Sequence, residues 1–290
     1  MKSFLKLPLS LVVLGFFYVN SFAQYKLTDR LPVDPTVKVG KLANGLTYYI
    51  RRNAKPEKKI ELRLALNAGS VQENDNQLGL AHFMEHMGFN GSKNFPKNEL
   101  VDFLQKTGVD FGADLNAYTS FDETVYILSL PTEDAGMVDK GFTVLEDWAF
   151  NNLLDKAEIE KERGVVLEES RLSKGPWERM SRQYFPKLLN GSKYAVRLPI
   201  GKDEILKNFK YETLKNFYTS WYRPNLMAVI VVGDIDPADA EKKIIAHFSK
   251  FKNPANAPVR PPIIPIKERT KPEALVVTDD EATNTFVQVY

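Results

Sequence analysis

The chain has 290 residues, of which 43% are hydrophobic and 26% charged. That length supports one large domain or two modest ones, and an aromatic content of 11% excludes a disordered polymer. Its 39 Lys and Arg nearly balance 37 Asp and Glu, so nothing in the charge points to nucleic acid or an anionic membrane as the main partner.

The first residues read as an export leader. Lys2 and Lys6 form a short positive region, Leu9 to Tyr18 is apolar and uncharged, and Ser21-Phe22-Ala23 supplies small residues for cleavage after Ala23. The apolar run is shorter than the roughly 20 residues that span a bilayer, so processing is expected to leave no stable membrane anchor. A periplasmic or secreted protein is the expectation. The chain has no cysteine. It therefore has no lipid-anchored export signal and no disulfides, and any metal site is built from His, Asp and Glu.

Val37 to Arg52 reads as a hairpin turning at Asn44-Gly45. Lys59 to Ala68 alternates, with Leu62, Leu64 and Leu66 on one face, and is a predicted strand. Helical spacing follows over Gly79 to Met87 and over Pro96 to Gln105, the latter with Gly108 just past its end. Leu115 to Thr119 and Thr124 to Leu130 are predicted strands around a turn at Phe121-Asp122. Helices are predicted over Glu133 to Phe150, Lys156 to Leu172, Trp177 to Leu189, Tyr211 to Trp221 and Pro237 to Phe248, with a buried strand at Met227 to Val232. Asn253 to Pro265 contains five prolines and reads as a linker, drawn over residues 253–268. It separates a unit at 24–252 from strand-like runs at Ala274 to Thr278 and Thr285 to Tyr290, the expected start of a second unit (269–290) that the sequence leaves incomplete.

The chemistry is concentrated in His82-Phe83-Met84-Glu85-His86. At about 100° per residue, Glu85 and His86 lie within about 60° of His82, so two imidazoles and a carboxylate leave one helix face. One turn between the histidines lets both nitrogens reach a single ion at about 2.0–2.1 Å. The order is the reverse of H-E-x-x-H. Leu80, Phe83, Met84 and Met87 mark the helix as largely buried, and a buried imidazole pair without a ligand is costly. Two of the three histidines in the chain fall in this pattern. The third, His247, sits on the last predicted helix and reads as structural.

A catalytic zinc needs three protein ligands and an open position. The candidates lie on the helix around Glu162 and Glu169, which are seven residues apart and so within about 20° of one face. Ile159 and Val166 share that face and turn it inward. Glu168 is an alternative, but it points about 100° away from Glu162.

The inverted motif together with Glu162-Arg163 and Glu169 resembles the pitrilysin/insulinase family of zinc peptidases. Leu115-Asn116-Ala117-Tyr118-Thr119, Tyr222-Arg223-Pro224-Asn225 and Val231-Val232-Gly233-Asp234 are similar to that family as well. The resemblance implies an α+β fold, a mixed, mainly antiparallel sheet flanked by helices, followed by the start of a second similar domain. It implies one zinc ion per chain held by His82, His86 and Glu169. Glu85 would be the general base, and Glu162 a supporting carboxylate that holds a ligand imidazole without touching the metal. Asn116 and Ala117 would lie on the edge strand that pairs with the backbone of a peptide or unfolded polypeptide. Family members close a chamber from two homologous halves, so a second half or subunit is an expected partner, and a chain inactive on its own is the alternative expectation.

Overall fold

Alternating apolar residues build the sheet. A computed structural model describes residues 32–290 apart from 98, 107, 111 and 263; the leader expected over 1–23 lies outside these residues. Along β3 (Lys59–Leu66), Ile60, Leu62, Leu64 and Leu66 are buried while the residues between them stay partly open. The same alternation runs through β2 (Thr47–Arg52), β5 (Thr124–Pro131) and β6 (Met227–Gly233), so one sheet face is sealed by helices. The six strands run in the order β1-β2-β6-β3-β5-β4, with β1 at Val37–Lys41 and β4 at Leu115–Thr119. The β2–β6 pair is parallel and every other pair antiparallel, the mixed, mainly antiparallel sheet that was expected. β4 therefore forms one free edge.

Helices α3 (Ala135–Phe150) and α8 (Pro237–Phe248) pack on the sheet, where Phe142, Trp148, Ile244 and Phe248 are fully buried. Helix α1 (Leu80–Met87) lies across β4 and β5 and is backed by α4 (Lys156–Ser173) and α7 (Tyr211–Trp221). Its C-terminal end is pinned where Trp148 Nε1 donates to Gly88 O at 3.1 Å and stacks on Tyr126. No helix among the described residues is long and apolar enough to cross a membrane.

Three local expectations change. Helix α2 starts at Glu99 (Glu99–Lys106) rather than at Pro96, because Lys97 takes a left-handed backbone (φ +54°) that an α-helix cannot contain. Between α5 (Pro176–Leu188) and α7, the unanticipated α6 (Asp203–Asn208) has six residues, too few to show a period. Residues 274–278 and 285–290 form no strand: they have no partner ladder among the described residues, and Val276, Val287 and Val289 stand exposed. The proline-rich segment is strapped down, with Arg223 Nη2 donating to Pro258 O and Asn253 Nδ2 to Asn44 O, both at 2.6 Å.

Gly79, which precedes α1, and Gly201, which precedes α6, lie back to back with φ of +97° and +74°. A Cβ on Gly201 would meet Gly79 Cα at 2.3 Å and Leu78 O at 2.6 Å, backbone atoms that cannot step aside. Gly201→Ala is expected to lower the unfolding free energy by about 1–3 kcal/mol, measured as a reduced urea midpoint at unchanged m.

Candidate metal centre

His82 and His86 stand one turn apart on α1 with their Nε2 atoms 3.2 Å apart and their rings nearly perpendicular. From α4, Glu169 brings Oε2 to 3.3 Å from His86 Nε2 and Oε1 to 3.6 Å from His82 Nε2. Two bonds of about 2.0–2.1 Å meeting at a tetrahedral angle would place ligand atoms about 3.4 Å apart. The three observed separations bracket that value, so these side chains fit a single zinc ion. They are the one such His/Asp/Glu group among the described residues. Glu169 is half-exposed, which leaves the cluster open on one side.

Helix α4 reaches this position through a second set of contacts. Its buried face is Ile159, Glu162, Val166 and Ser170. Asp155 caps its start by accepting the N–H groups of Ala157 (2.8 Å) and Glu158 (3.3 Å). Arg163 stacks on Phe209 and donates to the carbonyls of Leu206 and Phe209, while Phe209 packs edge-on against Phe83 of α1. Glu162 Oε1 lies 2.7 Å from His86 Nδ1, and its Oε2 accepts from Asn90 Nδ2 at 2.7 Å. In the sequence Arg163 stands out only as part of the family-like Glu162-Arg163 motif, with no role of its own, and Asn90 does not stand out. Asn90 lies one turn beyond His86, but a polar residue at a helix end usually reports capping and carries no distinctive signal.

Glu85 is buried on the sheet side of α1, and Thr119 Oγ1 donates to its Oε2 at 2.5 Å. Thr119 and Ala117 share the helix-facing side of β4, whereas Asn116 and Tyr118 are exposed on the other. The Ala117 N–H is taken by Asn116 Oδ1 at 2.9 Å, so that backbone donor faces the free edge rather than β5. The sequence marks Thr119 only as the end of a family-like strand, because its partnership with Glu85 exists only once β4 meets α1.

The cluster is electrostatically polarised. Burial lowers His82 to about 4, helped by the charge on neighbouring His86. Burial also opposes the charged form of His86, but its hydrogen bonds to Glu162 and Glu169 prevail and lift it to about 9. Burial would raise Glu162, yet His86 and Asn90 hold it below the usual carboxylate value; the His86 hydrogen bond does the same for Glu169. Burial raises Glu85 against the opposing Thr119 hydrogen bond. His82 Nδ1 is buried without a hydrogen-bond partner among the described residues. His247, as expected of a structural residue, is remote from the cluster on α8 and pairs through Nδ1 with Glu146 at 2.9 Å.

Residues 48–189 match the family described as Insulinase (Peptidase family M16), and residues 208–290 match Peptidase M16 inactive domain. The chain is 40% identical over 226 residues to the "Probable zinc protease PqqL" of Haemophilus influenzae, covering 78% of this chain and 24% of that protein. It is 38% identical over 264 residues to the Escherichia coli protein of the same name, covering 91% of this chain and 28% of the relative. Among solved structures, the first half of the periplasmic protease PqqL from Escherichia coli superposes with a TM-score of 0.78 at 39% identity, over 83% of this chain and 51% of that one. The chain thus spans about a quarter of the length of the curated relatives it matches.

The pKa pattern predicts how metal binding depends on pH. A ligand imidazole must be neutral. His82, at about 4, already is at pH 7, whereas His86, at about 9, carries a proton that must leave. Zinc uptake at pH 7 should therefore expel about one proton, and apparent affinity should fall about tenfold for each pH unit below 9. Calorimetry in two buffers of different ionisation enthalpy counts the protons; zero or two would contradict this assignment.

Proposed function

The chain belongs to the insulinase family of peptidases (Peptidase family M16), and from that premise we propose that it carries the metal-binding half of an exported zinc endopeptidase. The observation that carries the reading is the convergence of His82, His86 and Glu169 at zinc-ligand spacing beside a buried carboxylate, Glu85. His82 and His86 would hold the ion through Nε2 and Glu169 through its carboxylate. A zinc ion bound there supplies Lewis-acid polarisation of a water and of the scissile carbonyl.

The remaining steps belong to the chain's own residues. Glu85 accepts the proton of the attacking water and passes it to the leaving amine nitrogen as the C–N bond breaks. Its raised pKa brings it nearer to neutrality than an exposed glutamate, which suits a group that both takes and returns a proton. Thr119 holds Oε2 and so orients Oε1 for that transfer. Glu162 fixes the ring of His86 through Nδ1. An extended peptide adds to the free edge of β4, replacing the Asn116 side chain at the Ala117 N–H, so backbone pairing dominates and sequence tolerance is broad.

Residues 24–252 are taken as the catalytic unit, 253–268 as a linker and 269–290 as the start of a homologous second unit. The relatives' greater length supports a second half that completes the substrate chamber. The periplasmic setting of the Escherichia coli protein supports export of this one.

Glu85→Gln is expected to retain about one zinc per chain and to lower turnover of an unstructured peptide by about 100-fold or more, whereas His82→Ala should lose the metal. Retained turnover in Glu85→Gln would remove it as the base. Wild type that binds zinc yet cuts nothing until a second polypeptide is added would establish the two-half chamber. Glu162→Gln should weaken zinc binding by about 10-fold to 100-fold, read by competition with a chelator.

A further inference from the structure

Helix α1 spans eight residues, little more than two turns, and a helix that short is marginal unless its ends are held. Its N-cap is Gly79, which has no side chain to satisfy the first-turn N–H groups. His82 lies in that first turn, so fraying there would displace His82 before it displaced His86.

The missing cap comes from upstream. Glu73, the most deeply buried acidic side chain among the described residues, accepts the Ala81 N–H at 2.8 Å through Oε1 and the Gly79 N–H at 3.1 Å through both oxygens. Burial raises the Glu73 carboxyl to about 8 against the opposing N–H groups of Ala81 and Gly79 and the nearby Arg197, and its oxygens accept at the positive end of the helix, where an acceptor is favoured. The loop carrying Glu73 is itself anchored. Arg197 Nε donates to Glu73 O at 3.1 Å, Arg197 Nη2 pairs with Asp75 at 2.6 Å, and Ser70 Oγ donates to Arg197 O at 2.5 Å. The same loop reaches the β4–β5 turn, where the N–H groups of Ser70 and Val71 donate to the carbonyls of Ser120 (3.1 Å) and Phe121 (2.9 Å). That turn directly follows Thr119, the partner of Glu85.

We propose that Glu73 is a positioning residue for the metal centre: its carboxylate sets the first turn of α1 and hence the approach of His82 to Glu169, and Arg197 holds the loop that carries it. The inference rests on the metal-site reading above. Glu73 touches neither metal nor substrate, and it acts through the backbone of Gly79 and Ala81.

The test compares Glu73→Gln, Glu73→Ala, His82→Ala and Ile244→Ala in the full chain. Ile244, fully buried on α8, serves as a control for loss of stability remote from α1. Zinc affinity is read by chelator competition and the stability of the metal-free chain by thermal unfolding. Both Glu73 variants are expected to weaken zinc binding by about tenfold or more, while Ile244→Ala lowers the melting temperature and keeps wild-type affinity. Should Glu73→Ala fail to fold, Glu73→Gln decides: it matches glutamate in size but presents an amide N–H2 in place of one acceptor oxygen. Wild-type affinity in Glu73→Gln overturns the inference, as does a loss no greater than that of Ile244→Ala at equal melting temperature. If His82→Ala itself binds zinc as wild type does, the metal-site reading fails. If His82→Ala loses zinc and Glu73→Gln does not, the positioning role alone fails.

Discussion

Everything in this fold that bears on chemistry depends on bringing three lone-pair donors to within 3.6 Å of one another from two separate helices. Without a cation such a cluster is held under electrostatic tension. His82 is driven neutral and His86 is driven to the imidazolium, sharing its charge with two carboxylates. With a metal ion held by His82, His86 and Glu169, both rings would be neutral and Glu162 would accept from Nδ1 of His86. The same contacts that raise the His86 pKa therefore orient it as a ligand, so one geometry serves both states.

The scaffold reads as the means of holding α1 still. One end is fixed by Trp148 and Tyr126 beneath Gly88, the other by the buried carboxylate of Glu73. On the flank, Phe83, Phe209 and Arg163 fasten α1 to α4 through α6. Each contact is modest, at about 1 kcal/mol for a hydrogen bond, yet together they replace the stability that two turns of helix lack. The free edge of β4 sits beside this rigid unit, and Thr119 ties the two together by a single hydrogen bond. On the proposed function, substrate alignment and proton transfer would be coupled through this one strand.

Much of this was legible in the chain. The strands from Lys59 and Thr124 follow from strict alternation, and the sealed face is the one that Leu62, Leu64 and Leu66 predicted. The His82, Glu85 and His86 cluster follows from helical spacing alone. The face shared by Glu162 and Glu169 was visible from the inward placement of Ile159 and Val166, and the structure buries both of those residues. Helical spacing alone left the division of labour between the two glutamates open, and the resemblance implied it; in the packing, Glu162 meets Nδ1 of His86, and Glu169, two turns further along α4, meets Nε2 of both histidines. Thr119, Asn90 and Glu73 escaped notice because their partners lie 34, 72 and six to eight residues away, joined by bonds that no periodicity encodes.

The sequence by itself determined which residue types could hold a metal and on which helix faces they stand, because a helical or strand period is a property of neighbours along the chain. The tertiary structure alone decided the distances among those faces, the opposite protonation tendencies of two histidines one turn apart, and the presence of a free strand edge beside Glu85. Those depend on burial and on contacts between segments far apart in the chain, and burial is what turns the same imidazole toward about 4 in one position and about 9 in the next.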